Sequence, residues 1–224
     1  DLLEKVSQVE SADEDINQKK KEIHNVSEKL DVIGLKISNA RKKVIPNLKK
    51  ELESLLSDLG MKNARFSINI KSTSHYFSNG KDELEFFFSA NKGGNFGELK
   101  KVASGGELSR IMLAVKRVLS ENTQLPTIIF DEIDTGVSGE ISNKIAAIML
   151  QMSKHMQVIS ITHLPQVAAK GDNHYKVYKE EINNVTTTNL RQLSAEERIV
   201  EIAEMLSGKE ISETAITHAK ELLN

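Results

Sequence analysis

Thr127-Ile128-Ile129-Phe130-Asp131-Glu132 is a short apolar run that ends in two adjacent acids. Pro126 introduces it, and a run this short and uniformly apolar reads as a buried strand. Asp131 and Glu132 therefore fall at its carboxyl end, the edge where open parallel sheets gather their ligands. Adjacent strand residues point to opposite faces unless the backbone turns, so the two acids are expected to divide the work. Asp131 suits magnesium, directly or through water. Glu132 suits orienting or deprotonating an attacking water. The plainer reading, in which both only cap the next turn, stands beside this one.

Upstream lies Ser104-Gly105-Gly106-Glu107-Leu108-Ser109-Arg110. Serine followed three residues later by glutamate is a capping box, a common way to begin a helix. The two glycines add something a cap does not need. They remove side chains from where free amides and the positive helix end would meet an anion, so a phosphate could bind the Gly105 and Gly106 amides and the Ser104 hydroxyl. Downstream, Asp134-Thr135-Gly136-Val137-Ser138-Gly139 leads into a helix. His163 follows the next strand in Ile161-Thr162-His163-Leu164-Pro165, and is expected at the same sheet edge as Glu132, where an imidazole could hydrogen-bond a terminal phosphate. A glycine turn, an acid pair and this histidine, in this order, point to ATP chemistry with Mg²⁺.

The phosphate loop Gly-x-x-x-x-Gly-Lys-Ser/Thr does not occur, and the glycine cluster Gly93-Gly94-Asn95-Phe96-Gly97 lacks its Lys-Ser/Thr ending. The chain reads as half of an ATPase.

Around these motifs the spacing predicts an α/β fold. Helices are expected over about 105–121 and 139–153, with strands at 127–131 and near 156–162. Strand, helix and strand in succession make a crossover unit with parallel strands. Phe66, Ile68 and Ile70 alternate as a half-buried strand does, and Leu84-Glu85-Phe86-Phe87-Phe88 reads as a second strand. Thr73 to Asp82 is expected as a turn-rich connection and 91–103 as loop. Residues 173–180 and 185–190 suggest a hairpin, and helices over 195–206 and 211–223 follow. The predicted stripe of the 105–121 helix is Leu108, Ile111, Met112, Val115, Val118 and Leu119.

Residues 1–60 differ in kind. Leu2, Val9, Ile16, Ile23, Leu30, Ile37 and Val44 recur at heptad spacing, and Val26, Ile33 and Ala40 fill the companion position for part of the length. Such a seam calls for a partner helix in a coiled coil. Pro46 is expected to kink or interrupt this helix, and Gly60 to cap it. The organisation expected is therefore 1–60 as a coiled-coil helix and 61–224 as a globular unit.

The 224 residues carry 30 basic and 32 acidic side chains, a balance that predicts neither strong affinity for nucleic acid nor repulsion from it. Basic clusters such as Lys19-Lys20-Lys21 and Arg41-Lys42-Lys43 fit the solvated face of the long helix. The absence of cysteine excludes disulfides and thiolate-metal sites. No apolar run reaches membrane-span length and the charged N-terminus is unlike a signal peptide, so a cytoplasmic setting is expected.

Together, Ala103 to Arg110, Ile129 to Gly139 and Thr162-His163-Leu164-Pro165-Gln166-Val167-Ala168-Ala169 closely resemble the RecN family. These are SMC-like ATP-binding-cassette ATPases of bacterial DNA double-strand-break repair. The resemblance implies the C-terminal lobe of an ATPase head with a mostly parallel sheet, entered from a returning coiled-coil arm. By it, Ser104, Gly105, Gly106 and Glu107 look like the signature motif that contacts ATP held by an opposite head. Asp131 resembles the magnesium residue, Glu132 the catalytic glutamate and His163 the switch histidine. Asp134 to Gly139 looks like the interface loop, with Asp134 near nucleotide. The implied partners are the N-terminal lobe of the same protein, a second head in a homodimer, and DNA; the implied location is at the nucleoid, with no membrane. A transporter-type subunit is a rival, opposed by the heptads and by Glu107 where transporters usually carry glutamine. A non-enzymatic DNA-bridging scaffold, clamped by nucleotide, is another.

Overall fold

The computed structural model describes residues 2–121, 123, 125–131, 133, 136–137, 139–182, 185–208 and 210–224, with side chains from residue 13 onward except at 182. Two compact units are present, one of residues 1–50 and 67–87, the other of residues 51–66 and 88–224. The long helix α1 (Leu2–Asp58) and the strands β1 (Arg65–Phe77) and β2 (Gly80–Ser89) contribute to both.

In the first unit α1 runs through Pro46 as one continuous helix, contrary to the expected interruption. Proline there removes one hydrogen bond to the preceding turn, yet helix extends on both sides of it, from Leu2 to Asp58. The heptad residues Ile16, Ile23, Val26, Leu30, Ile33 and Val44 are all exposed. On a different flank the β1–β2 hairpin rests against the helix. The Asp82 carboxylate, with its side chain only 1% exposed, accepts from Ser38 Oγ at 2.9 Å and from Arg41 Nη1 at 3.0 Å. Arg41 Nη2 also donates to the Asn79 carbonyl at 2.7 Å. Further along, Asp31 accepts from Lys81 Nζ at 2.6 Å and from the Tyr76 hydroxyl at 2.9 Å, while the Lys81 ammonium sits 4.5 Å from the Tyr76 ring centroid. Lys81 and Tyr76 donating to it hold the Asp31 carboxyl below its ordinary range.

The strands of this hairpin extend into the segment expected as connection, leaving Ser78-Asn79 as the turn. Asn79-Gly80 supplies it, with Gly80 at φ +124°. A turn so short joins only antiparallel strands. The extension depends on the contacts with α1, which local sequence does not reveal.

In the second unit α1 ends at a Schellman-type cap. Met61 N–H donates to the Leu56 carbonyl at 2.8 Å across Gly60, whose φ is +83°. A Cβ at Gly60 would lie 2.6 Å from Ile141 Cδ1, so packing as well as backbone requires glycine. Leu52, Leu56, Leu59, Phe66 and Phe88 are buried there, the two rings 5.3 Å apart. The expected loop after β2 contains a short strand β3 (Gly97–Glu98) and a single-turn helix α2 (Leu99–Val102).

Then follow α3 (Gly105–Ser120), β4 (Thr127–Asp131), α4 (Gly139–Met152), β5 (Gln157–Ile161) and α5 (Pro165–Ala169). Helix α3 buries Ile111, Leu113 and Ala114, while Met112 and Leu119 are exposed. Leu108, Val115 and Val118 are half-buried, so the core face is shifted from the expected stripe toward Leu113 and Ala114. Helix α4 buries Ser142, Ile145, Ala146, Ile148, Met149 and Met152. β4 and β5 pair in parallel, Thr127 opposite Gln157 through Asp131 opposite Ile161. β6 (Tyr175–Ile182) and β7 (Val185–Gln192) form an antiparallel pair. Helices α6 (Ala195–Ser207) and α7 (Glu213–Leu223) pack with α5 around Ala169, Ile202, Ala203, Ala215 and Ala219.

The α/β expectation holds, but the sheet is mixed. Among the described residues β4–β5 is the parallel pair, in a two-stranded sheet; β1–β2–β3 and β6–β7 are separate sheets. Strands that follow each other directly in the chain must pair antiparallel, whereas α4 supplies the crossover that a parallel pair needs.

Candidate active site

Helix α3 begins with the capping box that its sequence predicts. Glu107 N–H donates to Ser104 Oγ at 3.4 Å, and the Glu107 carboxylate accepts from Ser104 N–H at 2.8 Å and from Ser104 Oγ at 2.7 Å. The Ser104 backbone and hydroxyl donating to it, with a smaller contribution from the Arg110 charge, hold the Glu107 carboxyl below its usual range. Ser104 and Gly105 are exposed, and a Cβ added at Gly105 would meet nothing within 4 Å. The first amides of a helix have no intrahelical acceptor. Gly105 thus opens α3 toward unobstructed space, in the geometry that receives an anion.

Asp131 is the last residue of β4, exposed beyond the buried Phe130. Its register partner Ile161 ends β5, and His163, also exposed, follows two residues later. Asp131 and His163 therefore leave the parallel pair at the same edge. Thr162 Oγ1 accepts from Leu164 N–H at 3.0 Å, shaping the turn that carries the histidine into α5. Glu132 and Asp134 lie outside the described residues, as do Thr135 and Ser138.

Among the described residues no hydrogen bond or ion pair links Ser104 or Glu107 to Asp131 or His163, and no three carboxylate or imidazole side chains converge on a metal position. Asp131 still fits the chemistry of Mg²⁺, which is commonly held by one or two carboxylates, several waters and the phosphates of its substrate.

The parallel pair is covered unequally. Phe130 is buried, but Ile129 is 62% exposed and its partner Ile159 42%, with Ile161 at 53%. Parallel sheets are ordinarily covered on both faces. No helix among the described residues is long and apolar enough to cross a membrane.

Outside these motifs Arg65 and Lys92 line a basic hollow with the residues around Gly93-Gly94. Its parts come from distant stretches, and only the Lys92-Gly93-Gly94 run hinted at it.

No family model matches the chain. It is 38% identical over 227 residues to the DNA repair protein RecN of Halalkalibacterium halodurans, covering 100% of this chain and 40% of that protein. It is 37% identical over 237 residues to RecN of Bacillus subtilis, covering 99% and 41%. The chain thus spans about two fifths of the length of these relatives. Among solved structures, the Smc head domain with a coiled coil and joint from Pyrococcus yayanosii superposes with a TM-score of 0.56 at 19% identity, over 76% of this chain and 31% of that one. The Smc head with an extended coiled coil from Pyrococcus furiosus gives a TM-score of 0.56 at 18% identity, over 80% and 43%. These two likenesses show that the chain shares the fold of an Smc head domain.

Proposed function

Because this chain belongs to the RecN family, we propose that it supplies part of an SMC-like ATPase acting in DNA double-strand-break repair and recombination. Residues 1–60 are the returning arm helix, and 61–224 the C-terminal lobe of the head. The observation that carries this reading is the common edge of β4 and β5, where Asp131 and His163 emerge together. The open start of α3 supports it.

The roles follow from these positions. Ser104 and the Gly105 and Gly106 amides, with Glu107 fixing the turn, bind the terminal phosphate of ATP held by an opposite head. Asp131 holds Mg²⁺, Glu132 orients and deprotonates water, and His163 hydrogen-bonds the terminal phosphate. Asp134 and the residues up to Gly139 form the interface between heads. Bound Mg²⁺ offsets the negative charge that develops on the transferred phosphoryl group. The partners are the N-terminal lobe, a second head and DNA, in the cytoplasm at the nucleoid.

The exposed isoleucines of the parallel pair support the need for a second lobe, and so does the absence of a phosphate loop from the sequence. This chain alone is therefore expected to be inactive. The test is ATP hydrolysis by the chain, alone and mixed with a polypeptide carrying the phosphate-binding lobe, with Glu132→Gln run beside wild type. Turnover only in the mixture, and lost in the variant, is expected. Turnover by the chain alone would overturn the half-enzyme reading. A silent mixture in which the two pieces demonstrably assemble would favour a nucleotide-clamped scaffold.

A further inference from the structure

A hollow of about 420 Å³ opens within the second unit, where the start of β1 meets the loop that follows β2. Its volume lies in the range of about 300–1,000 Å³ typical of small-ligand sites. Two cations line it, Arg65 and Lys92, together with the amide side chains of Asn63 and Asn91 and the ring of Phe96. No carboxylate is among its lining residues.

The wall is built rather than incidental. Ser89 is buried, and its hydroxyl donates to the Asn91 carbonyl at 3.1 Å; the Gly94 N–H donates to the same carbonyl at 3.1 Å. A Cβ at Gly94 would fall 2.9 Å from Ser89 Oγ and 3.2 Å from the Asn91 carbonyl oxygen, and Gly93 sits at φ +77°. The loop is consequently folded tightly onto Ser89, and both glycines are needed for it. On the facing wall Arg65 Nη1 donates to the Ala64 carbonyl at 2.7 Å and to the Lys62 carbonyl at 3.3 Å. That fixes the guanidinium by one nitrogen. Among the described residues neither Arg65 nor Lys92 forms an ion pair with a carboxylate, in a chain where many other cations do. Phe96, which also lines the hollow, is 50% exposed.

Paired cations without acids select an anion, and a fork-shaped guanidinium suits phosphate oxygens. An exposed aromatic ring beside them suits the face of a base. We infer that this hollow binds one nucleotide unit, with Arg65 and Lys92 on its phosphate, Asn63 and Asn91 donating to its polar edge, and Phe96 stacked on its base. The same chemistry is offered by a free nucleotide and by a nucleotide within a single strand. None of its lining residues belongs to the start of α3 or to the β4–β5 edge, and the inference does not depend on the hydrolysis proposed there.

The experiment uses the full chain and two fluorescent probes, a labelled oligothymidylate and a labelled adenosine monophosphate, each followed by anisotropy. Lys92→Ala and Phe96→Ala are surface changes, so circular dichroism should report an unaltered fold, and Arg65→Lys tests the fork at constant charge. Each of Lys92→Ala and Phe96→Ala is expected to weaken binding about tenfold. Lys92→Ala should also reduce the slope of log affinity against log salt by about 0.7, the single-strand value for one phosphate contact. Arg65→Lys should weaken binding while leaving that slope unchanged. Weakening seen with oligothymidylate assigns the site to a strand, and weakening seen with the monophosphate assigns it to a free nucleotide; either supports the inference. Variants that bind both probes as wild type does, or no binding of either probe, would overturn it. Glu132→Gln separates the two readings, because it should abolish hydrolysis in the assembled head and leave this binding intact.

Discussion

Ser104 and Glu107 serve two ends at once. Their reciprocal hydrogen bonds finish a helix, and the same bonds hold the turn that we propose meets a phosphate. Ser104→Ala should therefore cost about 1 kcal/mol of stability, the usual loss for an N-cap, measured by urea unfolding. It should also weaken nucleotide-dependent association of heads. Glu107 adds a pH dependence of definite sign. Its folded carboxyl is held below the ordinary range, so its stabilisation is present above the unfolded value and lost as pH falls through the folded one. Midpoints of unfolding recorded from neutral to acidic pH should converge for wild type and Glu107→Gln at the acidic end. Asp82 is a residue of another kind, a buried carboxylate satisfied by Ser38 and Arg41. Arg41→Ala leaves that charge without its cation and should destabilise by about 3 kcal/mol. Ser104-x-x-Glu107 was readable in the sequence because its parts lie within one turn. Arg41 and Asp82 are 41 positions apart, and nothing local in either residue announces the other.

At the scale of elements, the heptads identified α1 as a helix because their period is a property of the helix itself, whatever surrounds it. Pro46, expected to kink or interrupt the helix, does not interrupt it. Its local cost is real, about 3 kcal/mol relative to alanine in a helix interior, yet the helix continues through it. Pro46→Ala should accordingly raise the thermal midpoint, a change that calorimetry would detect. The exposed seam leads to the opposite expectation. Leu30→Gln should alter the stability of this chain by no more than about 0.5 kcal/mol, as surface substitutions do. It should nevertheless weaken pairing with a partner helix in an assembled arm, measurable by sedimentation. The phase of α3 was only partly readable in advance, because Met112 and Leu119 are apolar yet exposed, while Leu113 and Ala114 are buried. Which part of its apolar side goes inward depends on the packed neighbours and not on spacing alone.

For the molecule as a whole, the uneven covering of β4 and β5 is the most consequential property. A charge at Ile129, already 62% exposed, should leave this chain folded while preventing its association with a phosphate-binding lobe. Ile129→Asp in the two-piece mixture is expected to abolish co-elution on size exclusion, with an unchanged circular dichroism spectrum for the chain alone. A spectrum that collapses would instead show that the face is covered from within. The parallel edge was legible as chemistry before it was legible as architecture. Asp131 and His163 could be placed by crossover logic alone, while the short hairpins that divide the sheet depend on turns and on support from α1.

The hairpin on α1 touches the helix at Ser27, Asp31, Gly34, Ser38 and Arg41, steps of four and three residues that trace one stripe beside the apolar seam. It acts as a key in the slot of a shaft. To advance by one heptad against the hairpin, the helix would have to exchange Arg41 for Leu48 and Ser38 for Ile45, and neither could hold Asp82. Sliding of α1 along its own hairpin would therefore break both contacts that satisfy Asp82. Motion of α1 that keeps these contacts lies before Ser27 or carries the hairpin with it.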